Sequence, residues 1–202
     1  MGVYMEKKYT AKNLINNSRW VRFILHVPIR EIEQLCVRLE EIIRENSELA
    51  VLENFVFFSN AATALVLFEM YRNRGFSFVE AYYKVAGPMW EYCEGEAYKY
   101  YKKSRSKRTF EKISKNLAGK IQKDYSGQWD MEILHADEHH ISLKCTKCFY
   151  ASFFKRYGIE DVGAMFCYAD EIIYGSMKNI DFSISGMLIS EEEFCTIELV
   201  KR

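Results

Sequence analysis

Apolar residues recur at helical spacing through the first half of the chain and alternate with polar ones near its end. In REIEQLCVRLEEIIRENSEL, residues 30–49, Ile32, Leu35, Cys36, Leu39, Ile42 and Ile43 fall on one stripe. That spacing predicts an amphipathic helix with Cys36 as a small core residue. The run from Phe55 to Arg72 is apolar on nearly all sides and predicts a buried helix that stops near Gly75. Ser77 then stands as an N-cap with Glu80 three residues on, the spacing of a capping box. Gly87-Pro88 predicts a break or kink in the helix that follows.

From Trp129 the period shortens to two. Trp129, Met131 and Ile133 alternate with Asp130 and Glu132. Ile141, Leu143 and Cys145 alternate with Ser142 and Lys144. With polar HADEHH between them, the two segments predict a β-hairpin with one buried face. KCFYASFFKRYG predicts a helix ending at Gly158, and IEDVGAMFCYADEIIYG a second ending at Gly175. DFSISG and FCTIELVK predict two closing strands around a loop with Glu191, Glu192 and Glu193. Strands and helices do not interleave regularly, so the class is α+β: a helical N-terminal part packed on a small antiparallel sheet in β-β-α-α-β-β order. The reading is one domain over 1–202, mainly helical to 125 and mixed from 126, with the candidate chemistry in the mixed part.

Composition fits a globular chain of 202 residues with 49% hydrophobic content and a net charge of zero. No strong global field draws nucleic acid or an anionic membrane. KYYKKSRSKR carries six basic residues between Lys99 and Arg108. Glu94, Glu96 and Glu111 flank it, which favours a solvated helix face over a nucleic-acid patch. The start of the chain shows no apolar secretory core, and Glu6 occupies the place where myristoylation requires Ser or Thr. FVFFSNAATALVLFEMY is too short and too polar to span a bilayer. The expectation is a cytoplasmic protein with reduced thiols, no nucleic-acid or membrane partner, and a small molecule as ligand or substrate. Its oligomeric state is left open.

Six cysteines stand at Cys36, Cys93, Cys145, Cys148, Cys167 and Cys195. Cys145-x-x-Cys148 lacks a second pair at zinc-finger spacing, and adjacent His139 and His140 on a strand face opposite ways. No βαβ pattern surrounds the pair, so it lacks a thioredoxin-like context. Cys145 is expected as the last inward residue of its strand and Cys148 in the first turn of the next helix. Free N–H groups and the helix dipole there would lower its thiol pKa. The alternative is two small buried residues at a strand–helix junction. Cys167 and Asp170 are three apart and share a helix face.

The order KCFYASFFKRYGIEDVGAMFCYADEIIYG, DFSISG and EEEFCTIEL resembles the L-2-amino-thiazoline-4-carboxylic acid hydrolase family over roughly the last 60 residues. Cys148, Gly158, Cys167, Asp170, Gly186 and Cys195 fall on the family pattern, and Cys145 is an extra. The resemblance implies a site of Cys148, Cys167, Asp170 and Cys195 that hydrolyses a small cyclic amidine or thiazoline, cutting a carbon–nitrogen bond. Either a thiolate, Cys148 or Cys167, attacks the amidine carbon with Asp170 moving protons, or thiols and Asp170 hold a metal ion that activates water. The cofactor and the metal stay unassigned. Where the family ends in Cys-Asp-Phe-Arg, this chain reads Cys195-Thr196-Ile197-Glu198, and Asp181-Phe182-Ser183-Ile184-Ser185 replaces an Arg-Thr run. A substrate carboxylate would want those guanidinium groups. A non-catalytic small-ligand or metal-binding module of the same fold is the alternative, and its order of parts resembles sensor domains of the vinyl-reductase-associated type.

Overall fold

A computed structural model describes residues 9–50, 54–106, 108–124, 127–188 and 192–202. Glu6, Lys107 of the basic run and Glu191 of the last loop lie outside the described residues. The architecture is α+β, with two compact units that meet in sequence between Tyr92 and Cys93.

The first unit holds α1 (Ala11–Asn17), α2 (Val21–Ile24), α3 (Ile29–Glu45), α4 (Phe55–Asn73) and the start of α5 (Phe78–Ser104). In α3, Leu35, Leu39 and Ile42 are buried, as the stripe requires, while Cys36 is only half-buried at its margin. The α4 helix is buried on most sides from Phe58 to Phe68. A helix so enclosed must satisfy its polar side chains internally. Ser59 Oγ donates to Phe55 O at 2.6 Å, and Asn60 donates to Val56 O at 3.0 Å while accepting from the Arg19 N–H at 2.9 Å. Arg38 of α3 reaches Glu69 of α4 with two guanidinium nitrogens, at 2.9 and 3.2 Å. Gly75, at φ 87°, ends the segment after α4.

The capping box forms: the Glu80 carboxylate accepts from the Ser77 N–H at 2.8 Å, and Ser77 Oγ accepts from the Glu80 N–H at 3.3 Å. The predicted break at Gly87-Pro88 does not occur, because α5 runs through Pro88 to Ser104. Proline has no N–H for the Lys84 carbonyl, and its ring crowds the preceding turn, a cost of about 3 kcal/mol. Val85, Ala86 and Met89 around it are fully buried, and that packing offsets the cost. The indole N–H of buried Trp20 donates to Val85 O at 2.7 Å, in the turn that proline disturbs.

The second unit holds the rest of α5, then α6 (Thr109–Asp124), β1 (Asp130–Ala136), β2 (His140–Lys147) and α7 (Phe149–Lys155). A short 3-10 turn (Glu160–Gly163), α8 (Ala164–Gly175), β3 (Ile180–Ser185) and β4 (Cys195–Lys201) complete it. The sheet is antiparallel in the order β1-β2-β4-β3, so β2 and β4 are central. Ile141, Leu143 and Leu199 on one face pack with Phe110 and Leu117 of α6 and with Met177 and Ile180. Ser104 at the end of α5 accepts from the Lys178 N–H at 2.8 Å on its hydroxyl and from the Asn179 amide at 2.9 Å on its carbonyl.

One prediction for the hairpin is corrected. β1 is almost wholly exposed rather than half-buried, with Ile133 37% and Leu134 51% accessible. It is one of the two outer strands, and its register shifts between Ile133 and His135, leaving Leu134 as an extra residue. The described basic residues of the run are exposed: Lys99 pairs with Glu96 at 2.6 Å, and Lys102 lies over the Tyr98 ring. Among the described residues no helix is long and apolar enough to cross a membrane.

Candidate functional site

The central strands bring the first two sulfurs together. Cys145 of β2 and Cys195 of β4 are directly opposed in the antiparallel register. Their side chains point to the same face, and each thiol perturbs the ionisation of the other. Cys145 is 2% exposed, and its sulfur also donates to Lys147 O at 3.1 Å.

Cys148 follows β2 at the N-cap of α7, with extended backbone. The N–H groups of Tyr150 and Ala151 favour its thiolate, although they stop short of a capping hydrogen bond. Burial outweighs them and pushes the thiol up to about 11. The predicted low pKa is therefore overturned, since desolvation penalises the anion more than two N–H groups repay. Cys195 and Asp170 both add repulsion to a Cys148 thiolate.

Cys167 and Asp170 lie in the first turns of α8, on one face. Burial raises the Cys167 thiol, and Cys148, Asp170 and Cys195 raise it further. Electrostatic reach thus links Cys148, Cys167, Asp170 and Cys195, and Cys145 joins them through Cys195 and Cys148. A ring stack fixes the two helices that carry them. Tyr150, two residues after Cys148, lies flat on Phe166, next to Cys167, with centroids 3.8 Å apart and planes within 4°. Trp129 stacks on Phe149 beside it at 5.7 Å.

One thiol runs the other way. Cys195 is shifted down, first by the hydrogen bond from Cys145 and then by its own backbone N–H, against burial. The structure therefore favours the thiolate at Cys195, where sequence reasoning favoured Cys148 or Cys167 as nucleophile. Sequence reasoning also set Cys145 aside. Its inward alternation on β2 was legible, but not the register that places it opposite Cys195.

Gly186 and Phe194 close the loop that leads into Cys195. Gly186 has φ 64°, and a β-carbon there would lie 2.9 Å from Phe194 O. Only glycine combines that conformation with that approach.

The other sheet face carries a separate polar group. Glu198 of β4 accepts from Ser142 Oγ at 2.7 Å and bonds His140 Nε2. The His135 ring lies 5.2 Å from that of His140 and bonds Asp137 at 2.9 Å. His139 turns away to the exposed Glu138. Among the described residues no group of three or more His, Cys, Asp or Glu is placed to hold a metal ion.

A model of the L-2-amino-thiazoline-4-carboxylic acid hydrolase family matches residues 59–198, a span that begins well upstream of the motif-bearing segment and includes most of it. No curated protein matches. Among solved structures, the H-NOX domain from Shewanella oneidensis in the Fe(II)CO ligation state is similar over 94% of this chain and 97% of that one. At 8% identity and a TM-score of 0.39, that likeness carries no argument about fold or ligand.

Proposed function

The chain belongs to the L-2-amino-thiazoline-4-carboxylic acid hydrolase family, and we propose that it hydrolyses a small cyclic amidine or thiazoline at Cys148, Cys167, Asp170 and Cys195. The observation that supports this reading is that Cys148 and Cys167, at the N-cap of α7 and in α8, each lie within electrostatic reach of both Asp170 and Cys195. Water adds to the ring carbon that bears the amino group, a ring bond to that carbon breaks, and a carbamoyl-cysteine type product leaves.

The residues divide that work by their environments. Cys195, whose anion is favoured, attacks the amidine carbon, the ring bond to that carbon breaks, and water then adds to the carbon and displaces the Cys195 thiolate as the carbamoyl product forms. Asp170 accepts from the amidinium N–H groups and carries a proton to the departing ring atom. Cys148 and Cys167, held protonated by burial, bound the site with soft, weakly polar S–H groups.

The test is ring opening of 2-amino-thiazoline-4-carboxylate by the purified chain, with the product identified by mass. Cys195→Ser and Asp170→Asn are each expected to lower the rate by about 10²–10⁴-fold. Turnover that survives both substitutions would remove the thiol–carboxylate site. No turnover of this compound or of any related cyclic amidine would remove the reading itself.

A further inference from the structure

We propose that Cys145 and Cys195 form a reversible disulfide under peroxide, with Cys195 oxidised first and Cys145 as the thiol that resolves it. Cys145 is the cysteine beyond the family pattern, and the register seats it directly opposite Cys195. Directly opposed residues of antiparallel strands lie about 4.5 or 5.5 Å apart at Cα. A disulfide spans roughly 4.4–6.8 Å between the same atoms, so the Cα spacing of such a rung falls within the range of the bond. The two side chains share one face of the sheet, and each thiol perturbs the ionisation of the other.

Exposure sets the order. Cys145 is 2% accessible and shielded from a dissolved oxidant, whereas Cys195 at the start of β4 is only half-buried. The Cys195 anion is also the favoured one in this group, which directs the first attack to it. Its sulfur attacks one peroxide oxygen, the O–O bond breaks, and water leaves after taking one proton from solvent. Cys195 is then a sulfenic acid. The Cys145 sulfur displaces the sulfenic hydroxyl, which leaves as water with the Cys145 proton. Two thiols lose two hydrogens in all, and one peroxide becomes two waters. Cys148 is the competing partner, but it sits beyond the end of β2 at the N-cap of α7 and is not paired with Cys195 in the sheet.

The bond does not depend on the hydrolase reading, since a chain that opened no ring would still form it. Where the chain does turn over an amidine, oxidation removes the Cys195 thiolate and stops the reaction until a dithiol reductant restores it.

The experiment is peptide mapping of the intact chain after stoichiometric hydrogen peroxide, without reductant. Lys147 lies between Cys145 and Cys148, so a protease that cuts after lysine separates the two. The expected result is a peptide of Cys145 linked to that of Cys195, lost on reduction, with the other four of the six cysteines free. A link from Cys195 to Cys148, or Cys195 carried to sulfinic acid with no link, overturns the proposal. Cys145→Ser supplies the second readout: a sulfenic acid on Cys195 that a cyclic dione traps, then irreversible sulfinic acid. A reversible disulfide in that variant overturns it equally.

Discussion

Ser142 and Glu198 are paired directly across β2 and β4, and the Ser142 hydroxyl donates to Glu198 Oε1 at 2.7 Å. Glu198 occupies the place where the family carries its terminal arginine. Side chains alternate along a strand, so Glu198 lies on the opposite sheet face from Cys195, three residues earlier. The arginine missing at this position is therefore missing from the far side of the sheet, not from beside the thiols. Glu198→Arg should leave the alkylation rate of Cys195 within twofold of the parent. It should lower stability by about 1–3 kcal/mol by stripping Ser142 and His140 of their acceptor. Rapid alkylation kinetics and urea unfolding on the same sample check both halves.

The thiols should titrate in a fixed order. Cys195 is shifted down and Cys148 up to about 11, so iodoacetamide near neutral pH should label Cys195 well before Cys148. Cys145→Ser weakens the donor to Cys195 and should move the Cys195 profile to higher pH. The stability consequence has a definite sign. Raised folded-state values at Cys145, Cys148 and Cys167 mean that these thiols bind protons more tightly when folded. Folding should weaken as pH climbs above about 8.5, where unfolded thiols ionise, and the single lowered thiol opposes this only in part. Urea midpoints measured across that range report it.

Gly186→Ala should destabilise by about 1–3 kcal/mol, because the new β-carbon meets backbone at 2.9 Å in a left-handed conformation. The approach lies one residue from Cys195. The variant should therefore also slow Cys195 alkylation, which Gly75→Ala, far away in sequence and with open space around it, should not.

Ser77→Ala should cost about 1 kcal/mol by opening the capping box. The Glu80 carboxyl is held below its usual range by the Ser77 hydroxyl and N–H. Its contribution is present above the unfolded carboxyl pKa and lost as pH falls through the folded one. The variant should therefore lose less stability on acidification than the parent, as read by thermal unfolding at neutral and acidic pH.

Trp20→Phe should cost about 2–3 kcal/mol, from a lost donor to Val85 and imperfect filling of a fully buried space. Combining it with Pro88→Ala separates the two roles. If the indole compensates for the proline, the double variant should be more stable than the sum of the singles by about 0.5–1 kcal/mol.

Where periodicity decides the outcome, the sequence was a sufficient guide. The α3 stripe, the enclosed α4, the Ser77–Glu80 cap and the four strands follow from spacing alone. Pro88 does not end the helix, as one of its two predicted effects required, because a local rule met burial of Val85, Ala86 and Met89, which only the tertiary structure displays. β1 misled because alternation reports a capacity to be buried, while its outer place in the sheet leaves Ile133 and Leu134 uncovered. At the site, the family pattern named Cys148, Cys167, Asp170 and Cys195, and i, i+3 spacing placed two of them together. The ordering of their acidities was hidden, since helix-end logic at Cys148 could not anticipate desolvation around its sulfur. Nor could any linear pattern reveal that Cys145 and Cys195, fifty residues apart, share a rung.

The register shift at Leu134 bears on how the outer edge of the sheet meets other chains. An outer strand offers a row of unpaired N–H and carbonyl groups on which another chain can extend the sheet. The surplus residue Leu134 breaks the spacing of that row between Ile133 and His135 and twists the strand out of line. Excising Leu134 would remove this shift from the outer row and leave the one between Asp130 and Met131. A shift of this kind makes an edge a poorer template for strand addition.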